Sequence, residues 1–231
     1  MTRLARLAGW IALAAAAAFV AYELSIVARL AWWRTHDPAS TAFMEASLER
    51  LRAKSPGARL AHQWVPYARI SANLKRAVIA AEDAKFADHE GFDWEAMQKA
   101  WEKNQRRGKV VAGGSTISQQ LAKNLFLSGR RTPWRKAEEA VITVMMENVM
   151  DKRRILEIYL NVIEWGDGVF GAEAAARHYF GTSAAALAPA QAARLAAMVP
   201  NPRFYDRRRD TPWLERKTQI ILARMGAAEV P

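Results

Sequence analysis

Residues 7–22, LAGWIALAAAAAFVAY, contain no charged side chain, and ELSIVARLAWW follows them directly. A helix running on to Trp33 would be longer than the hydrocarbon core of a bilayer requires. Its place at the extreme N-terminus argues against a buried core helix. The remaining choice is between an uncleaved anchor and a signal peptide, for which Ala16 and Ala18 could imitate the small residues of a cleavage site. The length and the aromatic flanks favour the anchor, with Trp10 and Tyr22, or Trp32 and Trp33, as interfacial residues. Arg3 and Arg6 precede the run and Arg29 and Arg34 follow it, so the balance of positive charge does not set its orientation.

An anchored chain of 231 residues has room for one sizeable further domain. The 34 Lys and Arg against 23 Asp and Glu give a formal net charge of +11, which favours polyanionic partners: anionic lipid, phosphorylated substrates or nucleic acid. The absence of cysteine excludes a disulfide framework, a thiolate nucleophile and a zinc site built on Cys. Asp37-Pro38 and SPGAR at 55–59 read as breaks around a short helix that ends near Arg52, and Pro66 keeps HQWVPYARIS from being a central strand. From about Leu74 the pattern is helical almost to the end. Helix starts are marked by Asp93, Thr132-Pro133, Asp151 and Thr211-Pro212. The expected fold is mainly α, with an anchor segment at 1–33, a membrane-proximal linker at 34–73 and a helical domain at 74–231. The basic tract RFYDRRRD, 203–210, reads most simply as a solvated or lipid-facing surface.

Three stretches break local expectations. AAEDAKFADHEGFD, 80–93, gathers Glu82, Asp83, Asp88, Glu90 and Asp93 in a chain that is otherwise basic. Neighbours on a helix point about 100° apart, so at most one of Glu82 and Asp83 can face a given substrate. His89 reads as a hydrogen-bonded structural residue. In GGSTISQQLAKNLFL, 113–127, Thr116 and Gln119 fit a capping box, and Gln119, Gln120, Lys123 and Asn124 form a row of donors after a Gly-rich turn. In TPWRKAEEA, Arg135 and Lys136 occupy a first helical turn, where the macrodipole disfavours cations, and Lys152, Arg153 and Arg154 repeat the pattern after Asp151. Cations at helix starts suit a di-anionic ligand such as a pyrophosphate; a basic membrane-facing rim is the competing reading for Arg153 and Arg154.

EDAKFADHEGFD, GGSTISQQLAKN, RKAEE and KRRILEIYLN, in this order and spacing, resemble the peptidoglycan glycosyltransferases. The resemblance spans about residues 74–206 and takes in GDGVFGAEAAARHYFG and AARLAAMVPNPRFYD. It implies a lysozyme-like helical glycosyltransferase domain on the outer face of the bacterial cytoplasmic membrane, preceded by one transmembrane helix and acting on lipid II and lipid-linked glycan. By motif, Glu82 corresponds to the general base and Glu139 to a second carboxylate near the donor phosphates. Lys123, Arg135 and Lys136 correspond to the cations that neutralise the pyrophosphate. Ser115, Gln120 and Asn124 are expected to hold substrate or the geometry of the site, and Thr116 and Gln119 are counted with them as substrate-binding candidates.

The remaining acids of the knot, Asp83, Asp88, Glu90 and Asp93, are expected as scaffolding or caps. LFL at 125–127, beside Gly129, Arg130 and Arg131, is expected to dip into lipid. Longer bifunctional relatives carry a transpeptidase domain; this sequence has no Ser-x-x-Lys and ends at Pro231, so glycan polymerisation without crosslinking is expected. Where relatives often have an acidic residue, Gln191 stands in PAQAARLAAM, outside the four motifs. No cofactor and no protein metal site are expected, and a divalent cation accompanying the substrate pyrophosphate is compatible with this. Expected partners are membrane lipids, transpeptidases and other cell-wall synthesis proteins, and not nucleic acid. Two competing readings remain: a lysozyme-like lytic enzyme, which would use Glu82 as an acid but needs no cationic phosphate site, and a non-enzymatic membrane-anchored scaffold.

Overall fold

The computed structural model describes residues 3–111, 113–127, 129 and 132–231. It is mainly helical. The first helix, α1 (Arg3–Trp33), is long and apolar enough over Arg6–Trp33 to cross a membrane, and that stretch is almost wholly exposed. Its last turns are different. Ile26 and Leu30, one i,i+4 step apart, are fully buried against the rest of the chain.

α2 (Ala42–Arg52) starts at Thr41, whose hydroxyl accepts from the Met44 N–H. The segment 34–73 is not a free linker: Met44, Val65, Tyr67 and Ile70 belong to the same core as the later helices. α3 (Ala72–Glu82) packs against α9 (Pro189–Met198) and α11 (Pro212–Arg224), while α5 (Ile117–Phe126) packs against α6 (Pro133–Val149) and α7 (Lys152–Val162). α4 (Trp94–Arg107) and α10 (Pro202–Arg207) complete the set with α8 (Ala172–Phe180). Asp93, Thr116, Thr132, Asp151 and Thr211 all accept a backbone N–H from their own helix, so the caps that the sequence marks are the caps that form.

A small sheet was not foreseen. β1 (Ala61–His62) pairs in parallel with β3 (Val169–Phe170), and β2 (Glu164–Gly166) pairs antiparallel on its other side with an irregularity between Glu164 and Gly166. Asn161 ties α7 to the sheet and to the chain just after β1: its backbone carbonyl meets His62 Nε2 of β1 at 3.0 Å, and its side chain accepts from Val65 N–H and donates to Val65 C=O, each at 2.9 Å. Gly171 then turns the chain into α8 at φ +82°, where a Cβ would lie 2.6 Å from the Asn161 carbonyl oxygen.

Three surface expectations change. Leu125 and Leu127 are buried in the core with Phe126 packed partly against it, because α2 lies across α5; they do not dip into lipid. Arg130 and Arg131 lie outside the described residues. The tract 203–210 divides: Arg203 grips both oxygens of Glu164, Tyr205 is buried, and Asp206 accepts from the Asp167 N–H and pairs with His178 and Arg209, whereas residues 207–210 are exposed as the solvated surface expected. At the start of α7, Lys152 pairs with Glu147, and Arg153 lies over the Tyr67 ring. Arg154 bonds the Trp33 and His36 carbonyls, Asp37 and Glu157. Lys152 and Arg154 are therefore internal braces and not a pyrophosphate site, and of the two residues that could form a basic rim, Arg153 is exposed and Arg154 is tied inward.

Candidate active site

α3 ends on Glu82, and the chain turns at Asp83. The two acids part as helical geometry requires. Asp83 is buried, and its carboxylate accepts from the Ile117 N–H at 3.0 Å and from His89 Nε2 at 2.9 and 3.1 Å. His89 Nδ1 in turn accepts from the Gly91 N–H, which fixes the proton on Nε2. Asp83 and His89 thus join the end of α3 to the start of α5, and of the two acids, which border one recess, Glu82 is the more exposed.

Glu82 Oε2 accepts from Gln120 Nε2 at 2.8 Å, and Gln120 Oε1 accepts from the Tyr159 hydroxyl at 2.8 Å. Burial raises the proton affinity of Glu82 above the ordinary carboxylate range; the Gln120 hydrogen bond and the charges of Lys217 and Lys123 oppose this, and Asp83 adds to it. Desolvation outweighs the cations, although part of the side chain still meets solvent.

Beyond Gln120 the wall becomes cationic. A cavity of about 430 Å³ is lined by Ser115, Gln120, Lys123, Thr132, Pro133, Arg135, Lys136 and Glu139. Glu139 is buried; one carboxylate oxygen accepts from Arg135 Nη1 at 2.7 Å and the other from Lys136 Nζ, which also reaches Ser115 Oγ at 3.3 Å. A buried anion therefore holds two cations at a helix start where they would otherwise be disfavoured. Arg135 Nε is buried with no hydrogen-bond partner among the described residues. An adjoining recess of about 190 Å³ contains Glu82, Gly113, Gly114, Ser115 and Thr116, and a third of about 180 Å³ contains Gln120, Lys123, Asn124 and Tyr159. Ser115 is common to the first two, while Gln120 and Lys123 are common to the first and third.

The residues singled out in sequence do not all sit alike. Glu82, Ser115, Thr116, Gln120, Lys123, Asn124, Arg135, Lys136 and Glu139 all line these joined recesses. Lys123 Nζ lies 5.5 Å from the centre of the Phe43 ring, and Asn124 Nδ2 donates to the Gln120 carbonyl. Thr116 and Gln119 are buried, and their polar groups serve the helix start. The Thr116 hydroxyl donates to Gly91 C=O and accepts from the Gln119 N–H, while Gln119 Oε1 accepts from the Thr116 N–H. Their geometry is that of framework. Gln191 likewise accepts from the Ala188 N–H at the start of α9, a local role in helix capping. Sequence reasoning missed Tyr159 and Lys217. The signal for Tyr159 was present: a lone hydroxyl on the inward Ile/Leu face of α7 must find a partner.

These features agree with the relationships of the chain. The transglycosylase family model matches residues 49–226. A biosynthetic peptidoglycan transglycosylase of Methylobacillus flagellatus is 68% identical over 212 residues, 92% of this chain and 93% of that protein. One from Chromobacterium violaceum is 63% identical over 215 residues, 93% of this chain and 94% of that one. One from Herminiimonas arsenicoxydans is 60% identical over 231 residues, the full length of both. The chain belongs to the transglycosylase family and is a glycosyltransferase of peptidoglycan biosynthesis.

Proposed function

We propose that the protein polymerises glycan strands by transferring the growing lipid-linked glycan onto lipid II, with inversion and release of undecaprenyl pyrophosphate, and with no transpeptidase activity. It works from the outer face of the bacterial cytoplasmic membrane, anchored by α1, beside transpeptidases and other cell-wall synthesis proteins. Glu82 takes the proton from the 4-hydroxyl of the acceptor GlcNAc as that oxygen bonds to C1 of the donor MurNAc. The C1–O bond to the pyrophosphate breaks, and the bonding pair leaves with the phosphate. A sugar hydroxyl is a poor nucleophile, so a base within hydrogen-bond reach is required; the leaving group needs charge neutralisation more than a proton. Lys123, Arg135 and Lys136 supply that neutralisation. Glu139 orients the latter two, and Ser115, Gln120 and Asn124 hold substrate.

The observation that carries this reading is the pairing within one cleft of a desolvated carboxylate at Glu82 with a cationic recess. The buried Arg135 Nε, without a hydrogen-bond partner among the described residues, supports an anionic ligand there. Incubation of the purified full chain with labelled lipid II tests it: lysozyme-sensitive polymer is expected. Untouched lipid II with cleavage of preformed glycan would instead mark a lytic enzyme, and no reaction with either would mark a scaffold.

A further inference from the structure

Among the described residues Gln120 links Glu82 to Tyr159 by hydrogen bonds, and it uses opposite ends of one amide to do so. An amide can present either end to a neighbour. With Glu82 ionised, turning Oε1 toward it would set two acceptors face to face. With Glu82 protonated the turned amide becomes acceptable: the carboxyl O–H donates to Oε1, and Nε2 donates to the Tyr159 oxygen. The direction of the amide is therefore coupled to the proton on Glu82, and whatever fixes that direction favours one protonation state.

We propose that Tyr159 is a positioning residue for the transfer reaction: its hydroxyl, by donating to Gln120 Oε1, holds the amide so that Nε2–H points at the Glu82 carboxylate and keeps it ionised and aimed. This rests on Glu82 being the base. Tyr159 is fully buried on the inward face of α7, and burial pushes its own ionisation well above the ordinary phenol range, so the hydroxyl keeps its proton while Glu82 titrates. The charged groups acting on Glu82 come from three helices: Asp83 at the end of its own, Lys123 on α5 and Lys217 on α11. Asp83 is held by His89 and the Ile117 N–H, and its charge, like that of Glu82, adds to the rise at the Tyr159 hydroxyl. Removing the hydroxyl leaves Oε1 without its donor and frees the amide to turn, so the donor to Glu82 is lost for part of the population.

Tyr159→Phe removes that one atom and preserves the packing of the ring. The titration midpoint of Glu82, read from its labelled carboxyl ¹³C resonance and assigned by its disappearance in Glu82→Gln, is expected to move upward in Tyr159→Phe. The acid limb of kcat/KM for polymer formation should move with it, giving a loss of roughly tenfold on the acid side and under about twofold on the alkaline side. A loss equal at all pH values with an unmoved Glu82 midpoint would make Tyr159 merely structural and overturn the proposal. If Tyr159→Phe melts below the assay temperature, Gln120→Met cuts the same chain at its middle, and an unmoved midpoint there is equally decisive. The base assignment is read separately: full polymerisation by Glu82→Gln would defeat it while the ¹³C titration still reported on the Tyr159 relay.

Discussion

Glu82 is held at a cost to the folded state, and that cost is measurable. Its proton affinity is raised on folding because burial disfavours the charge, so the native chain binds this proton more tightly than the unfolded chain. The contribution to stability is therefore greatest below the unfolded carboxylate range and is lost as pH rises through the higher folded value. Glu82→Gln keeps the shape and removes the buried charge. Its melting temperature should exceed that of the wild type at pH 8, with the gap closing as the buffer is made acidic; a variant equal to or below the wild type at pH 8 would show that Lys123 and Lys217 outweigh desolvation after all. Lys123→Ala tests the other side of the cleft. If Lys123 faces the departing pyrophosphate, its removal should weaken inhibition by a donor-site phosphoglycolipid by roughly tenfold or more, as expected for one charge-assisted hydrogen bond. Unchanged inhibition would remove it from that role.

At the level of elements, what could be read from the sequence was what depends on near neighbours. Asp93, Thr132, Asp151 and Thr211 start helices because their own side chains meet N–H groups a few residues ahead. The divergence of Glu82 and Asp83 follows from helical spacing alone. What escaped depends on distant partners. The strands are two or three residues long and exist because Ala61 and His62 meet Val169 and Phe170 across the fold. Leu125 and Leu127 looked like a lipid-facing run because nothing local announces the helix that covers them. The family motifs identified the cleft residues, but the inward direction of Thr116 and Gln119 follows from their capping box and from Gly91. The glycine pair ahead of α5 separates the two kinds of information. Gly113 has open space where a Cβ would go, whereas at Gly114 a Cβ would lie 2.9 Å from the Met97 Cα on α4. Gly113→Ala should be near neutral in chemical unfolding and Gly114→Ala should destabilise by about 1–3 kcal/mol; equal effects would refute the close seating of α4 on that turn.

Across the whole molecule, α1 is continuous with the domain. Ile26 and Leu30 enter the core, Trp33 packs on Phe126, Tyr22 bonds Glu138 at 2.6 Å, and Arg154 ties the backbone at Trp33 and His36 to α7. With α1 in a bilayer, residues 7–22 supply about 24 Å of apolar helix, and the buried turns at Ile26 and Leu30 join it directly to the helical domain. Because the chain has no native cysteine, Tyr22→Cys with Glu138→Cys gives a clean reporter for a short thiol crosslinker. Efficient crosslinking is expected, falling several-fold when Arg154→Ala is added; no crosslinking would make α1 a loose tether. The initial rate of polymer formation from lipid II by wild type and by Glu82→Gln at equal folded concentration tests the proposal that Glu82 is the base of a glycan polymerase. A fall of about 10²- to 10⁴-fold is predicted for loss of a general base, and polymer formation at the wild-type rate would contradict it.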